Sequence, residues 1–158
     1  MYKVKNVGLF NIPRLAKVSH ILYLCGKDMA KKYDLHHWDN SKFKTFLITV
    51  YCALKNHVYL VYDENTSIAT FQIKVIEDTL HFEKLAVSPE SSGKGIGSFC
   101  LESMERIGKE KGCTKIGMEV YAPSRHAIEF YEHKGYKTVG EAKTLKYSEY
   151  KMEKEIEI

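Results

Sequence analysis

The sequence predicts a single α/β (α+β) domain spanning residues 1–158. Three observations predict it. Two long stretches before residue 56 carry apolar residues at helical spacing. From His57 the pattern changes to period two and continues through three strand-like runs. Beyond Val87, helix-like and strand-like segments alternate, with glycines at the junctions. No linker, repeat or low-complexity segment interrupts the chain.

The elements follow in order. Residues 2–6 read as a short first strand. From about Pro13 to Tyr33, Leu15, Val18, Leu22, Cys25 and Met29 share one helical face. The polar and aromatic segment Asp34–Asn40 leads into a second helix, Ser41–Leu54, with Phe43, Phe46, Leu47, Val50 and Tyr51 expected inward. His57–Asp63 and Ile68–Ile76 are strands joined by the turn Glu64-Asn65-Thr66, and Leu80–Val87 is a third. A helix runs from the glycine loop to about Lys111, closed by Gly112. Then come a strand at Lys115–Tyr121, a helix at Ser124–Lys134, a strand at Tyr136–Val139, and a last strand within Thr144–Glu155.

Residues 87–97, VSPESSGKGIG, carry the most chemistry. A strand ends, Gly93, Gly95 and Gly97 form a turn, and a helix begins with Ile96, Cys100, Leu101, Met104 and Ile107 on one face. Glycines let backbone N–H groups approach an anion, and a helix start adds unpaired donors and the positive end of a dipole. The spacing excludes two common phosphate loops. A nucleotide P-loop needs GxxxxGK followed by Ser or Thr, whereas Gly93-Lys94 is followed by Gly95. The dinucleotide fingerprint needs GxGxxG, whereas this loop is GxGxG. A second motif, SRHAIEFYEHKGY, fills Ser124–Tyr136; it reads as a short helix with Ser124 at its cap and Gly135 as its left-handed stop.

The first stretch resembles motif A of the GNAT superfamily of N-acetyltransferases through Leu85, Ala86, Val87, Pro89, Ser92, Gly95 and Gly97. Ser92 stands where that family usually has Arg or Gln, which removes a side chain and leaves the amides. The second stretch resembles motif B through Ala127, Tyr131, Gly135 and Tyr136, with Ser124 in place of the usual Asn. The resemblance is specific over residues 80–140; the first 56 residues fit by element order. It implies a mixed, twisted central β-sheet with helices on both faces. It implies an acetyl-CoA-dependent N-acetyltransferase acting by direct attack in a ternary complex. The cofactor would be gripped by Ser92, Gly93, Lys94, Gly95, Ile96 and Gly97, with Leu85, Ala86 and Val87 at the thioester and Ser124 and Tyr131 also on it.

Acetyl transfer to an amine needs four things: a grip on the cofactor, polarisation of the thioester carbonyl, an acceptor for the amine proton, and a proton for the departing thiolate. The resemblance assigns the last role to Tyr131. A phenol, ordinarily near pKa 10, lies close enough to a thiol, about 8.5, for that transfer. For the base, Glu83 is the first candidate and His81 the second. They are two residues apart on one strand and share its face unless a bulge intervenes. Cross-strand pairing on a solvated face is the plain alternative for both. His36, His37 and Trp38 lie between the first two helices, where the resemblance places the acceptor side.

Composition narrows the setting. The net charge of +4 comes from lysines scattered among acids, which suits a polyanionic cofactor and lacks the form of a nucleic-acid interface. Cys25, Cys52, Cys100 and Cys113 show neither CxxC nor zinc spacing, so no metal site is expected and the setting reads as cytoplasmic and reducing. The run Val18–Cys25 is too short to span a membrane, and no signal peptide is expected. Expected partners are acetyl-CoA and an amine, with edge strands and the C-terminal strand pair offering surfaces for a homodimer. A non-catalytic acyl-CoA-binding module and a small basic adaptor are the rival readings.

Overall fold

The computed structural model describes residues 1–157. Its elements are β1 (Tyr2–Val7), α1 (Ile12–Tyr33), α2 (Lys42–Lys55), β2 (His57–Asp63), β3 (Thr66–Ile76) and β4 (Thr79–Val87). A short 3₁₀ turn (Pro89–Ser91) follows, then α3 (Ile96–Glu110), β5 (Lys115–Tyr121), α4 (Arg125–His133), β6 (Lys137–Lys143) and β7 (Ser148–Glu155). The strands form a mixed seven-stranded sheet in the order β1-β2-β3-β4-β5-β7-β6. This is the predicted mixed α/β class, with β2 and β5 at the predicted residues and β6 four residues longer at its end.

The chain packs as two compact units. The first comprises Met1–Lys74 and Lys84–Leu101. Its strands β1, β2 and β3 are antiparallel neighbours, from Tyr2 opposite Asp63 to Val7 opposite Val58, and from His57 opposite Ile73 to Asp63 opposite Thr66. Helix α1 supplies Leu15, Val18, Ile21, Leu22 and Cys25 to a core shared with Val58, Leu60, Tyr62 and Ala86. The Asn11 side chain accepts from the Arg14 amide at 3.2 Å and starts α1; Asp34 ends it in the left-handed region.

Helix α2 corrects the expected inward face. Phe46 packs on the core as predicted, but Phe43, Leu47 and Tyr51 point outward, and the buried residues are Thr45, Thr49 and Cys52. The threonines can be buried because their hydroxyls donate within the helix, Thr45 to the Ser41 carbonyl and Thr49 to the Thr45 carbonyl, each at 2.8 Å.

The second unit comprises Val75–Glu83 and the chain from Glu102. Here β4 runs parallel to β5 from Thr79 opposite Lys115 to His81 opposite Gly117. Strand β7 lies antiparallel to both β5 and β6. Leu80, Phe82, Met104, Ile116, Met118, Tyr136 and Met152 are buried. Ser124 occupies the cap position of α4, but its hydroxyl makes no capping bond, unlike the cap expected from the sequence. Gly135 ends that segment at φ +89°, as expected.

Candidate active site

In the first unit the glycine loop leads from β4 into α3. Gly93 and Gly95 sit at φ +76° and +75°, a region that side-chain-bearing residues rarely enter, and the space where a Cβ would stand is open at both. The first helical bond of α3 is donated by Phe99 to the Gly95 carbonyl at 3.0 Å, so the amides of Ile96, Gly97 and Ser98 precede the ladder. Of the amides proposed to grip the cofactor, that of Ser92 already donates to the Pro89 carbonyl at 3.3 Å. The donors from Gly93 onward, with the dipole of a 15-residue helix behind them, fit a phosphate-bearing ligand in chemistry and in room.

Within β4, Lys84 adopts φ +53° without being glycine. The Lys84 ammonium lies 5.0 Å from the centroid of the Trp38 ring, a cation–π contact that helps hold the unusual backbone. Trp38 itself is fixed from below. Its carbonyl oxygen lies 2.1 Å from where a Cβ on Gly26 would stand, so α1 can carry only glycine there without movement. Beside it, His36 bridges two carboxylates, Asp34 at 2.7 Å and Asp39 at 3.3 Å, and Asp39 also pairs with Lys27 at 2.5 Å. The Asp34 and Asp39 hydrogen bonds push the His36 pKa above its usual value.

Cys25 closes this end of the unit. Its thiol donates to the Val87 carbonyl at 3.0 Å. Burial, then the Asp28 charge, pushes its pKa up to about 12. Burial likewise takes Cys100 to about 12, and burial with the Asp78 charge raises Cys113. A thiol held neutral is a poor nucleophile.

In the second unit the two candidate bases sit together. His81 Nε2 lies 2.5 Å from Glu119 Oε2, and His81 Nδ1 faces Glu83 Oε1 at 3.9 Å. Nδ1 is buried with no hydrogen-bond partner among the described residues, while the Glu83 side chain is 38% exposed. Glu83 is thus the more exposed of the two, and Glu119 holds the far nitrogen of His81. Sequence reasoning missed Glu119. The signal was present: Ile116, Met118 and Val120 are the apolar alternates of β5, so Glu119 faces the other way. The parallel register with β4 then brings it to His81.

Tyr131 belongs to an aromatic cluster in the same unit. Its ring centroid lies 5.9 Å from Phe82, 5.4 Å from Phe130 and 5.8 Å from Tyr136. These edge-on and tilted contacts fix the ring and so the direction of its hydroxyl.

Comparison with known proteins bears on the family and the fold. The chain matches the Acetyltransferase (GNAT) family over residues 22–136. A Bacillus subtilis (strain 168) protein provisionally named an acetyltransferase is 27% identical over 82 residues. That match takes in 52% of this chain and 54% of the relative, so the chain spans about half the length of the curated relative it matches. Among solved structures, the chain is similar to the PaiA N-acetyltransferase of Thermoplasma acidophilum in complex with coenzyme A, with TM-score 0.72 and 20% identity over 98% of this chain and 99% of that one. It is similar also to the ribosomal-protein-S18-alanine N-acetyltransferase of Escherichia coli, with TM-score 0.71 and 18% identity over 100% of this chain and 96% of that one. At these identities the structures speak for the fold. Among the described residues no helix is long and apolar enough to cross a membrane, and no group of three or more His, Cys, Asp or Glu is disposed to hold a metal ion. The family match covers well over half of the residues, and the chain belongs to the GNAT family of acetyltransferases.

Proposed function

We propose that the chain acts as one N-acetyltransferase domain that moves an acetyl group from acetyl-CoA to a primary amine, by direct attack in a ternary complex. The observation that carries this reading is the loop of two left-handed glycines opening onto the first turn of α3, after the left-handed Lys84 in β4. The amides from Gly93 to Gly97 bind the pyrophosphate, with Lys94 adding charge and the Ser92 hydroxyl available in place of the longer side chain usual there. Amides of Leu85–Val87 polarise the thioester carbonyl, worth several kcal/mol in an enclosed site. The Ser124 hydroxyl, not spent on capping, donates to the cofactor.

The amine nitrogen attacks the carbonyl carbon, the carbon–sulfur bond breaks, and acetylamine and coenzyme A leave. Glu83 takes the amine proton. With Nε2–H donated to Glu119, His81 keeps its Nδ1 lone pair toward Glu83 and can accept the proton in turn, its cationic form lying between two carboxylates. Glu119 is a positioning residue that sets this tautomer. Tyr131 returns a proton to the thiolate.

A screen of amines with acetyl-CoA and detection of released free thiol tests the reading. Amine-dependent thiol release is expected. Saturable coenzyme A binding with no release for any amine would instead favour a non-catalytic acyl-CoA-binding module.

A further inference from the structure

Helix α2 wears its apolar side chains on the outside. Phe43, Leu47, Tyr51 and Leu54 are 72%, 51%, 56% and 65% exposed and follow one another at steps of four, four and three residues. Those steps put them in one stripe down a helix face. With side chains of about 200 Å² each, the stripe exposes on the order of 500 Å², a contiguous patch of the size that marks interaction sites.

The charge on the helix itself has one sign. Helix α2 carries Lys42, Lys44 and Lys55 and no acidic residue. Lys55 reaches over the Tyr51 ring, 4.5 Å from its centroid, so positive charge lies directly on the apolar surface. A second copy of the same face is a poor occupant. Parallel pairing sets Lys44 and Lys55 each against its own copy, and antiparallel pairing sets Lys44 against Lys55, while Lys42 turns to the Tyr23 ring of α1.

We propose that this face docks an acidic amphipathic helix of a partner protein. Apolar residues of the partner would lie along Phe43, Leu47, Tyr51 and Leu54, and its carboxylates would meet the lysines. A stable interface buries about 800 Å² per partner, which the stripe and the aliphatic stems of its lysines can supply. The inference stands apart from acetyl transfer: it uses the outer face of α2 and none of the loop, strand or base residues.

The test is fluorescence anisotropy with a labelled synthetic helical peptide bearing leucines at steps of four, four and three residues and glutamates elsewhere. A twin peptide with lysines for glutamates is the control. The acidic peptide is expected to bind, its Kd rising several-fold with added salt, and the lysine twin to bind far more weakly. The double variant Phe43→Ser/Leu47→Ser is expected to lose at least about tenfold in affinity, since such anchors dominate an interface. Its melting temperature and its response to coenzyme A should stay unchanged. Lys44→Glu/Lys55→Glu is expected to reverse the preference between the peptides. Equal binding of both peptides, or no loss in the serine variant, overturns the proposal. So does a dimer of the chain that the serine variant splits, or binding to phosphatidylserine vesicles through this stripe without binding to the acidic peptide.

Discussion

Gly26→Ala sets two opposed effects against each other. In an ordinary helix interior, replacing glycine with alanine stabilises by about 1 kcal/mol. Gly26 lies well inside α1, yet a Cβ there would stand 2.1 Å from the Trp38 carbonyl oxygen and 2.8 Å from its carbonyl carbon. Cβ contacts do not fall below 3.0 Å, so the two backbones must part by about 1 Å. Nothing flexible can yield, because both offending atoms belong to main chain. Overpacking of this kind costs about 1–3 kcal/mol, and the rigid partner argues for the upper part of that range. The clash therefore outweighs the propensity gain, and a net loss of about 2 kcal/mol is expected. For a chain of this length that lowers Tm by roughly 4–8 °C. Differential scanning fluorimetry reads it, with Gly8→Ala as a neutral control because its Cβ would meet nothing within 4 Å. Parting the backbones also displaces the Trp38 ring from the Lys84 ammonium. A Gly26→Ala protein as stable as the parent, or more so, would refute the reasoning.

Other outcomes follow from the site. Tyr131→Phe keeps the ring contacts and is expected to lower turnover by about 10²- to 10⁴-fold with coenzyme A affinity nearly intact; unchanged turnover with chemistry rate-limiting makes Tyr131 a packing residue. Glu83→Gln is expected to lower turnover at neutral pH with partial recovery at high pH, where more amine is neutral, and His81→Gln to show a smaller fall. A larger pH-rescued loss in His81→Gln reverses the two roles, and no loss in either leaves proton removal to solvent. Stability in urea is expected to fall above pH 9. The unfolded thiols ionise there, while Cys25 and Cys100, raised by burial to about 12, stay protonated in the native state. The unfolded chain then binds fewer protons, so stability present below pH 9 is lost between pH 9 and 12, by about 1.4 kcal/mol per pH unit for each thiol at full slope. Cys100→Ala should reduce that slope without abolishing it, because Cys25, Cys113 and the buried Tyr136 are raised as well, and an unchanged slope would contradict the burial argument.

Strand β5 was legible from its alternation, with Ile116, Met118 and Val120 buried against exposed Lys115 and Glu119, and β2 from an apolar run bounded by exposed His57 and Asp63. The glycine loop was legible for a related reason: three glycines at a helix start make little sense without a need for open backbone. Helix α2 was misread because an apolar face was taken for an inward one. Threonines that satisfy their own hydroxyls can be buried instead, and sequence does not say when they are. The left-handed Lys84 was unreadable because lysine carries no signal for that conformation. Its support, Trp38 over Gly26, comes from residues far away in sequence. Glu119 was hidden for a similar reason. It meets His81 only once β4 and β5 lie parallel in this register, which the apolar runs alone do not fix.

Coenzyme A binding measured by thermal shift tests the central claim most directly, because a ligand of the native state must raise Tm by mass action. Saturating acetyl-CoA is expected to raise the Tm of the parent chain and to leave Gly95→Glu unmoved, since that change puts a side chain and a negative charge where the pyrophosphate would sit. NAD and ATP are expected to have no effect. A Tm that ATP raises and acetyl-CoA does not, or a Gly95→Glu protein that responds to acetyl-CoA as the parent does, would contradict the assignment of this loop.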